Sequence, residues 1–298
     1  MPKIRYQSKS FNDSSREIIK KANEIIADYQ AQGYMLTLRQ LYYQFVAKQP
    51  LRVPFANNIQ SYKRLGSIIN DARLAGMIDW NAIEDRTRNL ETLPSWASPR
   101  EILESCSHQF RYDRWKDQPR RVEVWVEKEA LVGVVQRIAN EYRLPFFACR
   151  GYVSQSETWG AGQRFLAYER GGQDVVVLHL GDHDPSGIDM TRDNYDRLYM
   201  FTEQSNVEVR RLALNYDQVE QYNPPPNPAK LTDSRATAYI ERFGNESWEL
   251  DALEPSVIAE LVRSQMPDLI DWDLWEAAIE REDEARARLA KLAKNWKD

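Results

Sequence analysis

The chain has 298 residues, 42% of them hydrophobic, enough for two domains with real cores. No apolar run approaches the ~20 residues of a membrane span, the polar start MPKIRYQSKSF lacks the apolar stretch of a signal peptide, and two cysteines are too few for a disulfide framework or a cysteine zinc site, so a cytoplasmic protein off the membrane is expected. The net charge of −5 hides an asymmetry: residues 1–121 carry 20 Lys and Arg against 13 Asp and Glu, a net of +7, while residues 122–298 carry 20 against 32, a net of −12.

The basic half reads as helices. Ile18, Ala22, Ile25, Ile26 and Tyr29 recur at helical spacing over 13–31, and Gly33 ends that helix. Thr37 is a candidate N-cap for a second, LRQLYYQFVAKQ. A third, YKRLGSIINDARLAGMIDW, begins near Ser61 and places Tyr62, Leu65, Ile68, Ile69 and Ala72 on one side. Three short helices with basic residues on the last suggest a helix-turn-helix or winged-helix module over 1–118. Lys63, Arg64 and Arg73 are its candidate phosphate contacts, and an ordinary solvated helix face is the alternative.

RWKDQPRR reads as a polar linker, and a second domain is expected over 119–298. Strands predicted over 122–128, 144–150, 174–180 and 208–214 alternate with helices over 129–143, 156–170 and 187–203. That alternation predicts an α/β fold with a parallel sheet covered on both faces. After the proline loop QYNPPPNPAK, SWELDALEP opens a helical region, and the charged EAAIEREDEARARLAKLAKNWKD is a solvated or dimer-supporting helix.

In such sheets the functional groups gather beyond the carboxyl ends of the strands. Glu127 ends the first strand; Asp182 and Asp184 follow the third in HLGDHDPSG. Residues i and i+2 of an extended segment face the same way. Three carboxylates there suit Mg²⁺, with Mn²⁺ as a substitute. Two surface acids in a turn are the alternative. His183 alternates away from the aspartates and is a supporting group with phosphate as its candidate contact; His179 and His108 read as structural.

In LTLRQLYYQFV the helical wheel puts Leu38, Leu41, Tyr42, Phe45 and Val46 on one apolar face and leaves Tyr43 off it. Arg39 stands one turn before Tyr43. A nearby cation favours phenolate and stabilises charge on a phosphoryl transition state, so Arg39 and Tyr43 are candidates for attack on phosphorus. A partly exposed tyrosine with an arginine stem packed on it is the competing reading.

TLRQLYY, VWVEKEA, RGY, GDHDPSG and WELDAL, in that order over residues 36–255, resemble the type IIB DNA topoisomerase A-subunit family: the topoisomerase VI A subunit, its meiotic double-strand-break relatives, and above all its stand-alone "mini-A" members of mobile elements. The resemblance implies a winged-helix domain joined to a Toprim domain. It implies a homodimer on double-stranded DNA, the tyrosine of one subunit facing the metal site of the other. Carried over, Tyr43 is the nucleophile leaving a 5′-phosphotyrosyl link, Arg39 binds phosphate, and Glu127, Asp182 and Asp184 are the Toprim metal ligands, with Glu129 and Glu249 as further acidic candidates. VSQSETW follows RGY where that family carries a proline and a threonine–arginine pair. No ATPase module is present, so strand passage would need a separate B-type ATPase subunit. A Toprim nuclease using metal-activated water and a non-catalytic DNA-binding dimer are the alternatives, and the expected location is the cytoplasm, with the nucleoid.

Overall fold

In the computed structural model, which describes residues 3–47, 55–84, 93–230 and 232–296, α1 (Asp13–Ala31) starts at Asn12, whose side chain accepts the Ser15 N–H at 2.8 Å. It buries the five residues the periodicity selects. In α2 (Leu38–Ala47) the Thr37 hydroxyl accepts the Gln40 N–H at 3.2 Å, as expected of a cap; the last two residues of the expected helix, 48 and 49, lie outside the described residues. α3 (Ile59–Leu74) starts earlier than expected, because Asn58 caps it, and stops before Gly76 (φ +70) instead of reaching Trp80. A Cβ at Gly76 would lie 2.9 Å from the Arg5 nitrogen, so the chain turns there against the N-terminal segment. The three expected helices are present. Outside them, the bridges in this half are Arg5 to Ala75 and Leu36 to Ile83, and no β-hairpin wing stands among the described residues.

α4 (Pro99–Gln109), which the sequence reading left without an element, runs beside the last helix, α12. The stretch expected as a polar linker does more than connect. Its Trp115 is buried in the sheet core and donates to the Tyr142 carbonyl at 2.8 Å; one large apolar ring outweighs its charged neighbours.

The parallel sheet follows: β1 (Arg120–Val126), a 3-10 turn (Glu129–Leu131), α5 (Val132–Glu141), β2 (Phe146–Ala148), α6 (Gln155–Arg170), β3 (Asp174–Leu180), α7 (Pro185–Phe201) and β4 (Val207–Ala213). The order is β2-β1-β3-β4, all parallel. Alternation explains the two covered faces. Val122, Val124, Val126, Val176, Leu178 and Leu180 join α5 and later helices, while Trp125, Val175 and Val177 meet Phe165 of α6 and Leu198 of α7. Beyond lie α8 (Tyr216–Tyr222), the antiparallel pair β5 (Asn227–Pro228) and β6 (Glu246–Ser247), α9 (Ala236–Phe243), a 3-10 turn (Leu250–Ala252), α10 (Pro255–Arg263), α11 (Met266–Leu269) and α12 (Trp272–Asn295). On α12, fully buried Glu282 gathers Arg114 and Arg143 at 3.3 Å and the Tyr112 N–H at 3.0 Å, which ties α4's exit to the sheet domain. Among the described residues no helix is long and apolar enough to cross a membrane.

The short turn at 249–253 joins the two halves. Leu250 is buried in the sheet core and Ala252 in the helical core. The intervening acids, Glu249 and Asp251, meet cations from both halves: Arg39 of α2 and Lys128, which follows β1.

Candidate functional site

The acidic loop is built by backbone hydrogen bonds. The Glu127 N–H continues the sheet to the Leu180 carbonyl at 2.8 Å, and Glu127 Oε2 accepts the Asp182 N–H at 2.8 Å. His183 exchanges two backbone bonds with Trp248, at 2.8 and 2.9 Å, which staples the loop to the 249–253 turn. Its ring is sealed among Tyr216, Tyr239, Phe243 and Trp248, with Nδ1 2.7 Å from the Tyr239 hydroxyl. The expected phosphate contact of His183 is therefore not available: the side chain packs inward as part of the staple. His179 is structural as expected, buried with Nδ1 2.8 Å from Thr191 Oγ1, and burial lowers its proton affinity to about 3.

The three expected metal ligands are brought to one end of the sheet, each with its own partners. Asp182 accepts the Leu250 N–H at 2.7 Å through Oδ1 and pairs with Lys128 at 2.9 Å through Oδ2. Asp184 is the N-cap of α7, its Oδ1 taking the Gly187 N–H at 2.6 Å and the Ser186 hydroxyl at 2.9 Å. Among the described residues no group of three or more His, Cys, Asp or Glu side chains stands as a metal-ligand set. As arranged, these carboxylates do not fit one shared divalent ion. A tethered cation lies there instead: Lys128 Nζ is 2.6 Å from Glu249, 2.9 Å from Asp182 and 3.0 Å from Asp251.

The electrostatics follow from crowding. Burial raises the Asp182 carboxyl to about 8; Glu127 and Asp251 add to this and Lys128 opposes it. Burial likewise raises Glu127, with Asp184 adding to it. Glu249 goes the other way: burial would raise it, but Lys128, then Arg39 and the Tyr43 hydroxyl hold it at about 2.

Arg39 and Tyr43 are neighbours as expected, with Nη2 donating to the phenol oxygen at 3.2 Å. Arg39 also reaches Glu249 Oε2 at 2.5 Å and Asp251 Oδ2 at 3.0 Å, which brings both carboxylates near the Tyr43 phenol. Two expectations are corrected. Tyr43 is not presented to solvent: it is 3% exposed, as buried as Tyr42 at 4%, because the 249–253 turn closes over α2. Nor does the cation win the phenol: burial, then Asp251, outweigh Arg39, and its proton affinity rises.

Of the expected phosphate contacts in the helical half, Lys63 and Arg64 are exposed, Arg64 lying 3.2 Å from Ser14 Oγ. Arg73 is committed elsewhere: it donates to the Trp80 carbonyl at 2.7 Å and stacks 4.6 Å from that indole, so it braces the turn after α3. Glu129 pairs with exposed Arg150.

Sequence reasoning missed Lys128, Asp251 and Arg211. Lys128 was legible only as half of the EK pair, and Asp251 as the acid two residues after Glu249. Arg211 of β4 underpins the loop, donating to the carbonyls of Asp182 at 2.6 Å and Gly187 at 2.8 Å. Its only sequence signal is a charged pair, Arg210-Arg211, inside an apolar strand.

The low value of Glu249 gives a pH test. Because its folded value lies below its ordinary 4.5, its contribution is present above about 4.5 and disappears as pH falls toward about 2. Glu249→Gln is expected to lose on the order of 2 kcal/mol of unfolding free energy at neutral pH, with wild type and variant converging in acid. Denaturant melts at a series of pH values measure it; parallel curves would contradict it.

No family model and no curated protein matches this chain.

Proposed function

We propose that the chain is a DNA-binding protein that cleaves a phosphodiester by transesterification through Tyr43. The observation that carries it is the meeting of Arg39, Tyr43 and Glu249 at the junction of the two halves, a phenol with a guanidinium at 3.2 Å that also holds the Glu249 carboxylate. The resemblance to type IIB topoisomerase A subunits supports the same nucleophile. With it come a winged-helix reading of α1–α3, a Toprim reading of the four-stranded sheet, and a homodimer.

As described, the site is closed. Arg39 is taken up by Glu249 and Asp251. An incoming phosphate competes for Arg39 and Lys128, and Glu249 then loses the cations that hold its proton affinity down. It becomes a stronger base toward the phenol that shares Arg39 with it. Tyr43 Oη then bonds to phosphorus, its proton passes to Glu249, and the bond to the 3′ oxygen breaks. That oxygen takes a proton from water, and the 5′ phosphate stays on Tyr43. Arg39 stabilises the charge on the phosphoryl oxygens. Religation is the reverse.

A specific observation favours a second reading, a DNA-holding dimer without scission: the 3% exposure of Tyr43. One experiment separates them. Wild type and Tyr43→Phe are incubated with end-labelled duplex, with and without Mg²⁺ or Mn²⁺, and stopped with detergent. Label migrating with wild-type protein and lost in Tyr43→Phe, with binding intact, is the expected result. Free ends that survive Tyr43→Phe would assign the cut to water, and binding without scission under every metal condition would leave the scaffold.

A further inference from the structure

Two cavities share Arg39 as a wall. One, of about 360 Å³, carries the charged side chains of Glu127, Lys128, Arg150 and Asp251 in its lining. The other, of about 250 Å³, is different in kind: it is lined by Tyr42, Tyr43 and Tyr62 together with the amides of Asn57 and Asn227 and the Glu249 carboxylate. Tyr42 lies 5.5 Å from Tyr43, tilted, and 5.4 Å from Tyr62, edge to face, and Tyr62 is the half-buried ring that remains open to a ligand. Tyr42 is locked, its hydroxyl held by the Ala56 carbonyl at 2.9 Å and the Asn58 N–H at 2.8 Å, so it is a fixed back wall with no free hydroxyl. Asn57 donates to Asn227 at 2.5 Å and Asn227 to Glu249 at 3.2 Å, a chain of amides and carboxylate in the lining. At the mouth Ile59 is 64% exposed.

From this we infer that the second cavity receives a single unpaired nucleobase next to the phosphate held at Arg39. Aromatic faces stack bases, and amides and carboxylates read their donor and acceptor edges. A second phosphate is disfavoured there by Glu249. A base still paired in the duplex cannot enter so small a space, so the ligand is a nucleotide drawn out of the stack. The inference rests on the DNA reading above and deepens it by naming what lies beside the scissile bond.

Fluorescence anisotropy tests it with two labelled duplexes that differ by one extrahelical adenine. Wild type is expected to bind the bulged duplex about tenfold more tightly than the plain one. Ile59→Trp, at an exposed position outside the reacting groups, fills the mouth. It is expected to erase the preference while leaving plain-duplex affinity within about twofold. Equal binding of the two duplexes by wild type overturns the base site and leaves the DNA reading standing. A preference that survives Ile59→Trp also overturns it. Binding of neither duplex overturns both.

Discussion

Lys128→Met is expected to cost about 3–5 kcal/mol of folding stability, because removing one partner of a buried ion pair strands the other charge. Three carboxyl groups lose their partner here, at 2.6, 2.9 and 3.0 Å from the lost ammonium, and Asp182 among them is charged only above about 8. Their side chains are 24% (Glu249), 9% (Asp182) and 0% (Asp251) exposed, so water cannot replace the cation. Arg39 neutralises part of the group but does not reach Asp182. Lys128→Arg is expected to rescue little: a compact ammonium meets three oxygens that a planar guanidinium cannot satisfy from the same stem. The deficit of Lys128→Met should also depend on pH. Asp182 already titrates near 8, and losing Lys128, which lowers it, pushes it higher. Below that value the carboxyl is neutral and one stranded charge vanishes, so the deficit is smaller at acid than at alkaline pH. Urea melts of the three proteins on either side of pH 8 read both effects. A loss under about 1 kcal/mol, the range of an exposed pair, would show that Lys128 is not the cation this cluster depends on.

Much of the sheet was legible because its signal is local. DVVVLHL is a two-faced apolar run bounded by polar residues, and β3 spans those seven residues, Asp174–Leu180. The end of β2 was less so: only Phe146–Ala148 pair, at the sheet edge, and an apolar run alone does not say where pairing stops. In the helical half the amphipathic spacing found α1 to the residue, while α3 was misplaced by cues that lie outside periodicity, an Asn58 cap and a positive-φ glycine.

The site was legible in composition and not in arrangement. Aspartate followed by Pro-Ser-Gly is equally a metal ligand and a helix start with proline in the first turn, and here the Asp184 side chain caps α7. The helical wheel placed Tyr43 off the apolar face of α2, which is correct for that helix alone. Its burial comes from a turn more than 200 residues later, whose Ala252 packs into the helical core and whose Glu249 and Asp251 reach Arg39. The same long-range contact joins the basic half to the acidic half through three carboxylates and two cations. The charge asymmetry in the sequence is thus partly spent within the chain.

Gly187→Ala is expected to disable that point without touching a charge. A Cβ at Gly187 would stand 2.3 Å from the Asp182 carbonyl oxygen and 3.0 Å from its carbon, and both are backbone atoms with no rotamer to escape through. The loop must move. When it does, the Asp184 cap, the Asp182 bond to the Leu250 N–H and the Arg211 bonds to the Asp182 and Gly187 carbonyls shift together. Overpacking costs about 1–3 kcal/mol where side chains can yield, and a backbone collision belongs at the upper end of that range. Gly160→Ala on α6 is the control: nothing lies within 4 Å of its Cβ, and replacing a helical glycine should add about 0.5–1 kcal/mol. Thermal melts of the pair are therefore expected to diverge in opposite directions. Under the proposed function, Gly187→Ala should also lose DNA cleavage more than DNA binding, since the proposed DNA contacts Lys63 and Arg64 lie on α3 and not on this loop. A Gly187→Ala protein as stable as wild type would mean that the GDHDPSG loop is loose enough to absorb a methyl group, and that it does not hold the 249–253 turn in place through Asp182.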